Sequence, residues 1–350
     1  MKTRVIHIAD PDKQEKEIME AVELIRSGEV VAFPTETVYG LGANALDARA
    51  VNRIFQAKAR PGDNPLIVHI HDLSQWNQLV LDIPQKALLL AERFWPGPLT
   101  MILNKSERVP LETTAGLHTV GVRMPSHPVA LKLISLSGVP IAAPSANRSG
   151  RPSPTAAQHV LQDMDSRIPM ILDGGRCDVG VESTVLDLTE SVPVVLRPGG
   201  VTLEMLESVV GQVVVHPNVM KPLKQGQITR SPGMKYVHYA PKAPVTLIRG
   251  DLHKQVEFID TEASRREKQG ERPGILATNQ TLACYQAGVR LSMGDRSRPA
   301  ELAENLFARL REFDALDVDF ILAEGVDDKG EGLAVMNRIA RAAGFHIIDL

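Results

Sequence analysis

Between residues 14 and 27, Ile18, Val22 and Ile25 recur every three or four positions, which predicts an amphipathic helix with Gly28 placed to close it. "EVVAF" follows as a buried strand and runs directly into "PTETVYGLG" (34–42). Asp47 stands where a helix N-cap belongs, ahead of Val51, Ile54 and Phe55 at helical spacing. "LIVHI" (66–70) reads as a strand. Residues 84–95 read as a helix opened by Pro84 and stopped by "PGP" at 96–98. "LTMIL" and "TVGVRM" are strands, 127–137 a helix, "VPIAAP" a strand, and Thr155 can cap the next helix. "PMILDGG", stretches near 184–188 and 192–196, a helix near 202–210 and the strand "QVVVH" complete the block. Mixed alternation of this kind predicts one α/β or α+β domain over residues 1–215.

The period then stops. Residues 216–242, including "SPGMKYVHYAP", are rich in Pro, Gly, Lys and aromatic residues and read as a linker. From 243 to 350 the short apolar strands "PVTLIR", "GILAT", "VRLSM" and "DFILAE" alternate with helical stretches at 252–268 and 299–314, which predicts a small, largely parallel sheet. A length of 350 residues agrees with two cores rather than one.

Composition narrows the class. With 43% hydrophobic and 23% charged residues the chain reads as a soluble globular protein, and no apolar run is long enough to span a bilayer. The N-terminus turns charged after one short strand, unlike a secretory signal. Cys177 and Cys284 are far apart and lack CxxC spacing, so neither a disulfide framework nor a zinc site is expected, and a reducing cytoplasm is the simple reading. The net charge is -3; lysine plus arginine against aspartate plus glutamate is 20 to 24 over 1–215, 5 to 0 over 216–242, and 14 to 18 over 243–350. The linker is thus a basic stretch between two mildly acidic blocks.

Four polar clusters follow strands. "PTETVYGLG" stands near "KARPGDNPL", where Lys58 and Arg60 would face one side of an extended segment beside Asn64, an arrangement suited to a polyphosphate. Arg123 interrupts the apolar strand "TVGVRM"; its guanidinium needs an acceptor, either a protein carboxylate or a substrate carboxylate. "APSANRSGRPSPT" (143–155) offers Ser145, Asn147 and Ser153 and backbone amides able to form an anion nest. "DGGRCDVGVESTVLDL" and "VLRPGG" contribute Ser183, Thr184 and Arg197. No Walker P-loop, G-x-G-x-x-G, H-E-x-x-H or G-x-S-x-G occurs, and His69, His118 and His127 are scattered.

Taken in order, "PTETVYGLG", "KARPGDNPL", "TVGVRMP", "APSANRSG" and "GVESTV…LRPGG" resemble the YrdC domain of threonylcarbamoyl-AMP synthases; "SPGMKYVHYAP" and "GLAVMNRIARAA" resemble the long, two-domain form. The resemblance implies a YrdC-like (DHBP synthase-like) twisted mixed sheet with helices, joined to a smaller Rossmann-like α/β domain. It also implies a cytoplasmic nucleotidyltransferase that joins L-threonine, bicarbonate and ATP, with Mg²⁺, into threonylcarbamoyl-AMP and pyrophosphate. The product would pass to a transferase system that modifies tRNA next to the anticodon. By position, Thr37, His69, Arg123, Ala143 and Ser183 would surround threonine, with Arg123 on its carboxylate. Lys58, Arg60, Asn64, Thr119, Ser145, Asn147, Ser153 and Arg197 would surround ATP, and His238 and Tyr239 would lie over the closed pocket as part of a lid. No nucleophile, general base or protein metal ligand is named. Glu36 is expected to point away from substrate. The competing reading is an RNA-binding module without adenylation activity; a carbamoyl-transfer maturation factor would need zinc-type cysteines that this chain lacks.

Overall fold

A computed structural model describes residues 2–222 and 238–350, which divide into two compact units. The first comprises residues 2–149 and 153–219, the second 150–152, 220–222 and 238–350. Most of the linker's basic stretch lies outside the described residues; His238 and Tyr239 lie within them.

The first unit runs β1 (Arg4–His7), α1 (Glu15–Arg26), β2 (Val31–Phe33), β3 (Gly40–Asn44), α2 (Ala48–Lys58), β4 (Ile67–His69), α3 (Leu73–Leu79), α4 (Gln85–Phe94), β5 (Leu99–Asn104) and α5 (Leu111–Thr114). It continues with β6 (Thr119–Arg123), α6 (Pro128–Ser137), β7 (Ile141–Ala142), α7 (Ala157–Met164), β8 (Met170–Asp173), β9 (Thr184–Asp187), β10 (Val194–Arg197), α8 (Leu203–Val210) and β11 (Val214–Val215). The strands form one 11-stranded mixed sheet in the order β1-β8-β2-β3-β7-β4-β6-β5-β9-β10-β11. Pairing β4 with β6 is parallel, whereas β4 with β7 and β6 with β5 are antiparallel.

Alternation along these strands sorts the side chains onto two faces. Ala32, Leu41, Val68, Met101, Val120, Val122, Ala142 and Leu186 enter the larger core, where α2, α4, α7 and α8 also bury their apolar stripes. The opposite face carries Val31, Phe33, Ile141, Ala143, Met170 and Leu172, packed against α1 and α6. Further along that same face the register places His69, Thr119, Arg123 and Thr100, next to a small separate cluster of Ile67, Ile102, Val185 and Leu196. The polar residues therefore begin where the α1 and α6 cover ends.

Several local expectations change. Lys58 and Arg60 do not lie on an extended segment: α2 continues through Lys58 and Ala59 turns left-handed at φ 50°. Thr155 does not cap α7, which starts after Ala156; instead the Thr155 backbone N–H donates to His159 Nδ1. "GLGAN", whose two glycines suggest a turn after "PTETVY", is the strand β3.

The second unit contains β12 (Val245–Arg249), α9 (Leu252–Glu267), β13 (Pro273–Ala277), β14 (Val289–Ser292), α10 (Pro299–Leu316), β15 (Phe320–Glu324), α11 (Gly332–Ala342) and β16 (Ile347–Asp349). Its sheet is parallel throughout, in the order β14-β13-β15-β12-β16. Ile248, Ile259, Ile275, Phe320 and Leu322 form part of its own core.

Candidate active site

Three loops at strand ends of the first unit are stitched together by their backbones. The Tyr39 N–H donates to the Pro154 carbonyl and the Ala146 N–H to Tyr39, while Gly40 and Ser145 form an isolated antiparallel bridge. The Val179 N–H donates to the Glu36 carbonyl and the Cys177 N–H to Thr155. The segments 34–40, 143–155 and 177–184 thus share one framework.

Within the first loop Thr35 makes a tight hydroxyl turn. Its Oγ1 accepts from the N–H groups of Thr37 and Val38 and donates to the Val38 carbonyl at 2.6 Å. The Thr35 and Thr37 hydroxyls lie 2.8 Å apart, on the same side of the loop. Thr37 Oγ1 in turn accepts from Arg123 Nη1 at 2.9 Å.

Arg123 is 3% exposed, and its Nε donates to the Gly97 carbonyl at 3.2 Å. Its Nη2 stands 2.6 Å from Glu36 Oε1. The guanidinium thus already has a protein carboxylate beside it. His69 is paired in register with Arg123 and is 4% exposed. Burial, with the Arg123 charge second, lowers its pKa to about 3, so the imidazole is neutral, and its Nδ1 has no hydrogen bond among the described residues.

Ser183 and Arg197 meet on the far side of the same framework. Arg197 Nε donates to the Ser183 carbonyl and Nη2 to Ser183 Oγ, at 3.0 and 3.1 Å, while Thr100 Oγ1 lies 2.8 Å from Ser183 Oγ. The consecutive residues Gly97 and Pro98 connect the two halves: the Gly97 carbonyl takes Arg123 and the Pro98 carbonyl takes the Thr184 N–H.

The phosphate-type residues divide. Lys58 is 2% exposed, and its ammonium donates to the carbonyls of Ser145 and Asn147, bracing the 143–155 loop. The Ser145 hydroxyl donates to Asn147 Oδ1 and the Ser153 hydroxyl to Glu182, both at 2.5 Å. Asn64 is fully buried, yet neither end of its amide has a hydrogen bond among the described residues. Arg60 Nη2 reaches the Asn64 carbonyl at 3.4 Å. Thr119 sits at the opposite end of β6 from Arg123, half-buried beside a cleft lined by Ile67, Thr100 and Val185. In the second unit the Tyr239 ring lies 5.0 Å from that of Phe307 and 5.6 Å from that of His238.

Glu36, Thr35, Thr100 and Glu182 are the members that sequence reading missed. Thr100 lies inside an otherwise ordinary apolar strand with no local signal, and Glu182 lies inside the cluster "DGGRCDVGVESTVLDL", where Ser183 and Thr184 drew the attention. Glu36 had one, an acid lodged between two threonines at a strand exit. Among the described residues no group of three or more metal-ligating side chains occurs, and no helix is long and apolar enough to cross a membrane.

Residues 23–199 match the Sua5–YciO–YrdC family model, described as telomere recombination, and residues 201–344 match the model for the threonylcarbamoyl-AMP synthase C-terminal domain. A relative from Pyrococcus abyssi named threonylcarbamoyl-AMP synthase is 52% identical over 96% of this chain and 97% of its own. One from Bacillus subtilis with the same name is 50% identical over 95% and 94%. The crystal structure of P. abyssi Sua5 complexed with L-threonine superimposes with a TM-score of 0.94 at 51% identity, covering 99% of this chain and all of the other. With both models matched in order and half of its residues shared with relatives along nearly its whole length, the chain belongs to the two-domain Sua5/YrdC family of threonylcarbamoyl-AMP synthases.

Proposed function

We propose that this protein makes L-threonylcarbamoyl-AMP from L-threonine, bicarbonate and ATP, releasing pyrophosphate, for modification of tRNA by a separate transferase system in the cytoplasm. The observation that carries this reading is the convergence of Thr37, His69, Arg123 and Ser183 around one strand-end framework, in a chain whose family is named for the reaction. The RNA-module reading gives way, because full-length relatives carry the name of the enzyme.

In this reading Arg123 holds the threonine carboxylate, and Thr37, His69, Ala143 and Ser183 enclose the rest. A neutral, buried imidazole can hydrogen-bond the substrate hydroxyl, which discriminates against valine more strongly than a methyl-sized pocket discriminates against serine. Lys58, Arg60, Asn64, Thr119, Ser145, Asn147, Ser153 and Arg197 serve ATP. Lys58 acts by fixing the loop that carries Ser145 and Asn147, and the buried Asn64 amide, without a hydrogen bond among the described residues, suits a polar ligand group. Mg²⁺, which favours phosphate oxygens and water over an all-protein cage, would come with the polyphosphate and would supply charge neutralisation to the leaving pyrophosphate. The protein's own contribution is chiefly positioning and electrostatics.

The test is pyrophosphate release from ATP in the presence of Mg²⁺, with threonine and bicarbonate supplied or withheld. Release that needs both supports the reading; release indifferent to threonine refutes it.

A further inference from the structure

The Arg123–Glu36 pair is buried and incomplete. The two side chains are 4% and 8% exposed and touch at 2.6 Å, but the contact is not oriented as a hydrogen bond. Among the described residues neither Glu36 oxygen has a hydrogen-bond partner, and neither does Arg123 Nη2. A carboxylate closed off from water with no directed donor is costly, and such groups are ordinarily completed by something.

The surroundings do not complete it. Among the described residues the other titratable groups that feel Glu36 are His127 at the head of α6 and Cys177 in the loop after β8, and Asp178 acts on both of them as well. Burial lowers the His127 pKa and raises that of Cys177, which keeps both uncharged at neutral pH, and Asp178 offers no cation. Among the described residues Arg123 is therefore the cation that balances Glu36. The backbone around Glu36 is fixed on both sides, by the Thr35 turn and by the Val179 N–H, so the carboxyl is held at a set position.

Threonine binding as proposed above would disturb this balance. Once a substrate carboxylate takes Arg123, Glu36 loses its counter-charge inside the protein, unless the ligand brings a cation of its own. An α-amino acid does so, on the carbon next to its carboxylate. We propose that Glu36 receives the α-ammonium group of the substrate, so that the zwitterion inserts between the paired side chains, carboxylate to Arg123 and ammonium to Glu36. This inference rests on the reading of the site as a threonine site and adds the recognition of its amino end.

The experiment is calorimetric titration of the full chain with L-threonine and with 2,3-dihydroxybutyrate of the same configuration, which carries a hydroxyl in place of the ammonium. The wild-type protein is expected to bind threonine at least about 30-fold more tightly, and Glu36→Gln to shrink that gap below about fivefold. Equal affinities in the wild type overturn the inference without any variant, as does a folded Glu36→Gln protein that keeps the whole gap. Failure of the wild type to bind threonine at all would overturn the site reading itself, and this inference with it.

Discussion

His69 shows how one residue ties the site to stability. Its folded pKa of about 3 lies below the ordinary 6.5, because burial and then the Arg123 charge disfavour the imidazolium. The unfolded chain therefore binds a proton that the folded one refuses. Its stability contribution is fully present above pH 6.5 and falls as the pH drops from there toward 3. The loss amounts to about 1.4 kcal/mol per pH unit, or about 2 kcal/mol on going from 6.5 to about pH 5. Urea denaturation of His69→Asn should show a pH dependence shallower than wild type by that amount. Parallel curves for the two proteins would mean that the His69 pKa is the same in the folded and unfolded chain and that burial does not lower it.

At the scale of elements, close packing explains both what the sequence disclosed and what it hid. Strand alternation disclosed the apolar strands and put Arg123 on one of them, since a cation among valines stands out. The strand β3 was hidden because Gly40 and Gly42 read as a turn. Gly42 is required by packing: a Cβ there would come within 2.6 Å of Phe33 and 2.7 Å of Ile141. The helix α11 was also missed; Asn337, Arg338 and Arg341 are buried there, so polar letters fall where the periodic reading expects apolar ones. The end of α2 hid the setting of Lys58, since the Pro-Gly pair that follows suggested an earlier exit. Contacts between distant segments, such as Glu182 with Ser153 or Thr100 with Ser183, leave no trace in local spacing. Gly199 tests this packing directly. A Cβ there would stand 2.3 Å from the Thr184 nitrogen and 2.5 Å from the Glu182 carbonyl, and backbone cannot step aside as a side chain can. Gly199→Ala should therefore cost about 2–3 kcal/mol in urea denaturation. It should also weaken threonine binding, because the strain falls on the segment that carries Ser183 and Arg197. A loss below about 0.5 kcal/mol would show that this turn is looser than the geometry implies.

At the scale of the whole molecule, the two candidate ligand sets depend on the two units differently. Thr37, His69, Arg123, Ala143 and Ser183 belong to the first unit, as do the groups that orient them, Glu36, Gly97, Thr100 and Arg197. The nucleotide set is different in one respect. Residues 150–152, immediately before Ser153, are counted with the second unit. There the Arg311 guanidinium donates to the Pro152 carbonyl at 2.6 Å, Arg151 pairs with Asp314 at 3.3 Å, and the Ala240 N–H donates to Gly150 at 2.9 Å. A fragment of residues 1–219 keeps every member of the threonine set with its partners but strips residues 150–152 of theirs. It should bind L-threonine within about fivefold of the full chain, while ATP binding weakens by about tenfold or more as the segment leading to Ser153 loses its anchors. Calorimetry with each ligand separates the two effects. Equal weakening toward both would mean that the fragment is broadly misfolded, and unchanged ATP affinity would mean that Ser153 is positioned by Glu182 and the first unit alone.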